Sequence, residues 1–181
     1  MDSSTPADVV LVLNAGSSSL KFAMYARAGA LAWQAVVRGQ IEGIGTTPQM
    51  IVKAADGSLL PVPALALASS VVDGRAALAF LVEWLKEAFA GARIVGVGHR
   101  VVHGGPDHRS PVAVTPAILD ELRKLEPLAP LHQPYNLGAI DAVAQRLPGV
   151  PQVACFDTSF HRGQPAVAEL VPLPTELRKG G

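Results

Sequence analysis

A single cysteine, Cys155, stands in 181 residues, so no internal disulfide can form and the chain fits a reducing compartment. Neither sign of charge is in excess, because Lys plus Arg and Asp plus Glu both number 15. That balance removes the electrostatic case for a nucleic-acid or anionic-membrane partner and makes any anion site a local one. No apolar run approaches the roughly 18 residues that a membrane span needs. The first residues, Met1-Asp2-Ser3-Ser4-Thr5-Pro6-Ala7-Asp8, carry acids where a signal peptide would carry bases. Together these absences give a cytoplasmic reading. Aromatic residues make up only 5% against 49% hydrophobic, so the core is built from aliphatic and small side chains, with apolar surface to spare for another domain. The Walker pattern G-x-x-x-x-G-K-[ST] and a repeat of solenoid length are also missing.

What is present is a strand that empties into a polar turn and starts again. Val9 to Leu13 is followed by Asn14-Ala15-Gly16-Ser17-Ser18-Ser19, then by the apolar run from Leu20 to Tyr25 that contains Lys21. Gly16 lets a backbone approach an anion with no Cβ in the way, three successive hydroxyls can donate hydrogen bonds, and Lys21 adds a positive charge just beyond. A flexible Ser linker would be flanked by polar sequence, whereas both flanks here are strand-like; an ordinary solvent-facing hairpin is the competing reading.

Residues 1–8 read as a disordered N-terminal tail and 9–181 as one domain. A third antiparallel strand is expected over Leu31 to Val37 and a hairpin of Met50–Ala55 with Leu59–Val62 around Asp56-Gly57, while the stretch to Ser70 carries no clear period. Asp73 caps an amphipathic helix over Arg75–Ala90, with Leu78, Leu81, Leu85 and Phe89 on one side. A short buried strand, Arg93–Val97, ends at Gly98. Thr115-Pro116 opens a helix to about Leu125, and another runs from Leu137 to Leu147, stopped by Pro148-Gly149. Val153–Phe156 is a last buried strand that delivers Asp157 at its C-terminal end, where open α/β sheets present ligand-binding groups. The order is a meander followed by strands separated by helices, which makes an α/β fold with a sheet of mixed direction flanked by helices.

Three polar groups therefore arrive at strand ends: Asn14 with the Ser turn and Lys21, then His99-Arg100, then Asp157-Thr158-Ser159-Phe160-His161. An arginine fork suits a carboxylate or phosphate, and an aspartate at a strand end can orient a nucleophile, reach a metal or act as a base. Singly, Arg100 reads equally well as a sheet-edge salt bridge and Asp157 as a helix cap. Jointly they suit phosphoryl transfer to an acid. His99 and His103 have the spacing of a helical metal pair, but Val101-Val102 and Gly104-Gly105 make that stretch strand and loop, which argues against zinc. A hydrolase nucleophile in the Ser turn lacks the G-x-S-x-G elbow. His132, bracketed by Pro130 and Pro134, sits in a stiff loop where structural packing is the default role.

The block Asn14-Ala15-Gly16-Ser17-Ser18-Ser19-Leu20-Lys21-Phe22 resembles the first signature of the acetate kinases. Gly98-His99-Arg100-Val101-Val102-His103-Gly104-Gly105, Ala129-Pro130-Leu131-His132-Gln133-Pro134 and Phe156-Asp157-Thr158-Ser159-Phe160-His161 resemble further blocks of that family in the same order, and the likeness runs from about residue 9 to the end.

The resemblance implies a ribonuclease-H-like domain of the actin and hexokinase superfamily, and an enzyme that moves the γ-phosphoryl of ATP to acetate, reversibly and with Mg2+, giving acetyl phosphate and ADP. By motif, Asn14 lies at the metal and phosphate site, Ser17 and Ser19 line the phosphate turn, and Lys21 contacts nucleotide phosphate. Arg100 holds the acetate carboxylate, Val102 and Leu131 wall the methyl pocket, His132 faces the transferring phosphoryl, and Asp157 is the acid/base or positioning residue. Because acetate is already ionised at neutral pH, positioning is the favoured role for Asp157. Family members continue into a second, nucleotide-binding domain and pair as homodimers, so the 181 residues alone are expected to be inactive. Propionate or butyrate kinase, and a non-catalytic domain that binds phosphate or acyl phosphate, are the alternatives.

Overall fold

The computed structural model describes residues 8–29 and 32–160. Residues 1–7 of the expected tail, Leu31 of the expected third strand, and His161 lie outside them. Asp8, assigned to the tail by sequence, is the first residue of β1 and pairs with Arg93 at 2.8 Å.

β1 (Asp8–Ala15) alternates, burying Val9, Leu11 and Leu13, so one face of the strand is committed to a core and the other is not. β2 (Ser19–Arg27) returns antiparallel to it, and β3 (Trp33–Glu42) and β4 (Gln49–Ala54) extend the meander. β3 runs past the expected end at Val37. Gly39 inside it sits where a Cβ would fall 2.6 Å from Phe22 Cζ, so the glycine makes room for a core ring. The second arm of the expected hairpin does not form a strand: only the bridge Lys53–Leu59 pairs, because Pro61 and Pro63 have no N–H to donate to a ladder. The unassigned stretch becomes α1 (Ala64–Ser70).

α2 (Gly74–Ala88) starts as expected at Asp73, whose side chain accepts the Ala76 N–H at 2.8 Å. It leads to β5 (Arg93–Val101), which is longer than its apolar core and carries His99 and Arg100 inside the strand. After the two-residue β6 (Val112–Ala113) comes α3 (Pro116–Arg123), capped by Thr115. A single 3₁₀ turn, Glu126–Leu128, precedes α4 (Gln133–Arg146). That helix begins four residues before the apolar period does, because Pro134 occupies its first turn, where a missing N–H costs nothing. β7 (Gln152–Phe156) and the one-turn α5 (Asp157–Phe160) complete the described chain.

The seven strands form one sheet in the order β4-β3-β2-β1-β5-β7-β6. β5 lies parallel to β1 and to β7, and the other pairings are antiparallel. This is the mixed α/β sheet expected for the ribonuclease-H-like class. The side chains on one sheet face, among them Leu11, Leu13, Phe22, Ile41 and Val52, pack with Leu67, Leu78, Leu81, Leu85 and Val143 of the helices. A second cluster joins Val101, Ala154 and Phe156 to Leu122, Leu137 and Ile140. The opposite face stays accessible, with Val12 40% and Val153 37% exposed.

Candidate active site

Strand pairing lines up one row of residues across that accessible face. Asn14 is opposite Lys21, Lys21 opposite Gln40, Gln40 opposite Ile51, and Arg100 opposite Cys155. Leu13 pairs with His99, so Asn14 and Arg100 are neighbours one step on. Asp157, two residues beyond Cys155, keeps the parity of the row as the chain leaves β7 for α5. Alternation explains why these six strand positions are available for chemistry: their immediate neighbours Leu13, His99, Ala154, Leu20, Phe22 and Ile41 are all buried on the core side.

Arg100 is the hub. Its Nε donates to both carboxylate oxygens of Asp157, at 2.9 and 3.1 Å, and its Nη2 to Oδ2 of the same group. Its Nη1 donates to Asn14 Oδ1 at 3.1 Å. The Asp157 carboxylate raises the guanidinium's proton affinity further above its already high range, against a smaller opposing effect of burial. A guanidinium has five N–H groups, and these bonds engage one each on Nε, Nη1 and Nη2, which leaves two for an incoming carboxylate. Beside it is a cavity of about 500 Å³ lined by Val12, Gly98, His99, Arg100, Cys155, Phe156 and Asp157. A larger concavity, about 650 Å³, lies over β2 to β4, with Lys21, Arg38 and Lys53 in its lining. The arginine and the carboxylate line the smaller one, and Asn14 joins them through its bond to Arg100 without lining it.

On the core side of the same strand, His99 is 2% exposed and its Nε2 lies 2.7 Å from Gln152 Oε1. Burial pushes its pKa down to about 4, with the Gln152 contact opposing. It is a neutral structural histidine. His103 is separate, its Nδ1 accepting the Gly105 N–H at 2.9 Å.

The Ser turn is closed by the Gly16 N–H donating to the Ser19 carbonyl at 2.8 Å, and the Ser18 carbonyl accepts the Ile44 N–H at 3.1 Å. The hydroxyls of Ser17 and Ser19 and the Lys21 ammonium have no partner among the described residues, so they remain available to an anion. Asn14, Arg100 and Asp157 are thus brought together, and Lys21 stands beside Asn14. Val102, Leu131 and His132 are not part of the cavity beside Arg100. Leu131 is 75% exposed, and His132 is exposed at the start of α4.

Sequence reading missed two buried amides on the first turns of α4. Gln133 Oε1 accepts the His103 N–H at 3.1 Å while its Nε2 donates to the His103 carbonyl at 2.9 Å. Asn136 Oδ1 accepts the Val102 N–H at 3.0 Å and its Nδ2 donates to the Ala15 carbonyl at 2.7 Å. The available signal was two amides three residues apart, one helical turn, just before an apolar run. Starting the helix at Leu137 hid it.

The acetokinase family model matches residues 9–180. The chain belongs to the acetokinase family. It is 46% identical over 176 residues to the acetate kinase of Rhodopseudomonas palustris strain CGA009, a match covering 97% of this chain and 44% of that protein. Among solved structures, Porphyromonas gingivalis acetate kinase superposes with a TM-score of 0.79 at 30% identity, over 96% of this chain and 43% of the other. A propionate kinase from Francisella tularensis superposes with 0.75 at 33% identity, over 94% and 42%. The chain therefore spans less than half the length of the acetokinase relatives it matches. No helix among the described residues is long and apolar enough to cross a membrane.

Proposed function

We propose that this chain supplies the acyl-side half of an acetate kinase, which in the longer protein transfers the γ-phosphoryl of ATP to acetate and back. The observation that carries the reading is Arg100, clamped by Asp157 and Asn14 with two N–H groups to spare, in the row that also holds Lys21. Acetate binds those two N–H groups through its carboxylate. One carboxylate oxygen attacks the γ-phosphorus, a C–O–P linkage forms, the bond from phosphorus to the β–γ bridging oxygen breaks, and ADP leaves with that electron pair. No proton moves, since acetate is ionised at neutral pH. Asp157 acts by fixing the guanidinium rather than as a base. Neighbouring strands are about 4.8 Å apart, so Arg100 on β5 and Lys21 on β2 are separated by about 10 Å of sheet, with Asn14 between them. That spacing seats a carboxylate at one cation and a phosphate chain at the other, with the transferring group's charge between. Ser17 and Ser19 donate to the nucleotide phosphates; Val102 and Leu131 as methyl wall and His132 as the group facing the phosphoryl rest on the motif resemblance alone, since none of the three lines the cavity beside Arg100.

The oxygens of Asn14 and Asp157 are hard donors of the kind Mg2+ takes. No cluster of three or more His, Cys, Asp or Glu forms a cage among the described residues, so the ion would draw most of its ligands from nucleotide phosphates and water. When bound it neutralises charge on the phosphate chain. The reading also carries a cytoplasmic location and a homodimer for the longer protein.

The likeness to the Francisella propionate kinase supports a second substrate reading, in which the acyl pocket takes propionate. Hydroxamate trapping of acyl phosphate, with ATP, Mg2+ and either acid, decides. The assay uses the longer protein or a chimera completed with the second half of the R. palustris relative. Acetate turning over faster supports acetate kinase, propionate turning over faster replaces it with the second reading, and no acyl phosphate from either refutes the carboxylate kinase reading.

A further inference from the structure

We infer that Asn136 is the positioning residue that fixes the phosphate turn relative to the acyl-side arginine. The roles of those two elements rest on the proposed function; the staple itself rests on geometry. The parallel ladder between β1 and β5 pairs residues only as far as Leu13 with His99. Beyond it no backbone pairing joins the two strands, which run on through Asn14 and Ala15 into the Ser turn and through Arg100 and Val101 into Val102, with the Arg100 Nη1–Asn14 Oδ1 bond at 3.1 Å still crossing between their side chains. At that gap the Asn136 side chain takes over from the backbone. Its Nδ2 donates to the Ala15 carbonyl at 2.7 Å and its Oδ1 accepts the Val102 N–H at 3.0 Å, so one amide bridges the two strand ends as a peptide group of an intervening strand would.

The bridge is rigid. Asn136 is 3% exposed, and Gln133, one turn earlier and fully buried, grips both backbone groups of His103. α4 is therefore pinned to the exit of β5 at two successive turns, and Leu131 and His132 enter the helix from that fixed end. Leu137 and Ile140 of the same helix belong to the second hydrophobic cluster, so the amides share its buried side. Burying an amide in such a place is unfavourable unless all its bonds are made. Asn136 makes one through each end of its amide, to the two segments that carry opposite halves of the proposed site. Displacements of about 1 Å between reacting groups can reduce turnover by a hundredfold.

The test replaces Asn136 in the longer protein or the R. palustris chimera. Asn136→Ala removes both arms; Asn136→Asp keeps an acceptor for Val102 but loses the donor to Ala15, and carries the same test if the alanine variant does not fold. Both variants should lose tenfold to a hundredfold in kcat per folded molecule, with KM for acetate and for ATP each within about threefold of the parent. Amide NMR shifts of Gly16–Ser19 and of Arg100–Val102 should move together in the same variants. A loss of activity that only follows the folded fraction, or shift changes confined to α4 or to one of the two segments, overturns the inference. If the parent protein phosphorylates no carboxylate the functional reading fails, and the paired shifts alone then uphold or overturn the staple.

Discussion

Replacing Arg100 with alanine in the longer protein should separate catalysis from stability by an order of magnitude. In the folded chain Arg100 and Asp157 are 49% and 40% exposed at the side chain, so their ion pair is screened and contributes about 0.2–1 kcal/mol. For a domain of this size that corresponds to a fall in Tm of at most about 4 °C. The bond from guanidinium to substrate carboxylate is charge-assisted and is made in a site closed over by substrate, where such bonds contribute about 1.5–3 kcal/mol. That converts to a loss of roughly 10- to 150-fold in kcat/KM for acetate. KM for ATP should stay within about threefold, because the phosphate turn and Lys21 belong to other strands. Arg100→Lys should recover only part of the loss, since an ammonium cannot face Asp157 with two N–H groups and still present two more to acetate. Steady-state kinetics with each substrate varied, read beside thermal melts, make the comparison. Equal rises in KM for both substrates, or an activity loss matched by the fall in folded fraction, would refute the assignment of Arg100 to the acyl side.

Three further expectations follow from other parts of the chain. His99 has a folded pKa of about 4 against an ordinary 6.5, so the unfolded state takes up the proton first. Stability is then full above about pH 6.5 and falls as pH drops toward 4, by about 3 kcal/mol from this group; His99→Leu should flatten a melt series over that window, and an unchanged slope would show that His99 does not titrate this way. Gly104→Ala places a Cβ 2.6 Å from Phe156 Cγ and should cost about 1–3 kcal/mol by overpacking, measured by urea denaturation; a neutral result would mean the β5 exit yields easily. Residues 1–181 alone, given ATP, Mg2+ and acetate, should form no acetyl phosphate in the hydroxamate assay, because they match only 44% of the R. palustris relative and each electrostatic stabiliser held by the rest of such a protein typically contributes about a hundredfold; turnover abolished by Asp157→Ala would contradict this.

The elements set by local chemistry were legible. Asp73 and Thr115 cap the helices they precede in the sequence, and the apolar runs on either side of the Gly/Ser stretch marked β1, β2 and the turn between them. Asn14, Arg100 and Asp157 were recognisable as a set because each closes an apolar run. The misses have a common physical origin in partners distant along the chain. Nothing near Gly39 announces the Phe22 ring it accommodates, and the short apolar core of β5 gave no notice that pairing with β1 continues to His99 and pairing with β7 through Arg100 to Val101. Pro134 marks a loop or a first helical turn equally well, and only its setting in the fold selects the second. Asn136 was invisible for the same reason: its partners Ala15 and Val102 are 121 and 34 residues away.

The row across the sheet has a bearing on how this protein can change. Odd-numbered positions of β1 from Val9 to Leu13 build the interior and even-numbered Asn14 lies on the face of the proposed site, so a single inserted or deleted residue within the strand would exchange the two sets at once. Insertions there would be selected against twice over, while swaps among aliphatic residues at Leu11 or Leu13 leave the working face untouched. Interior and reactive surface can each drift by substitution on its own side of the pleat, yet neither can tolerate a change in length.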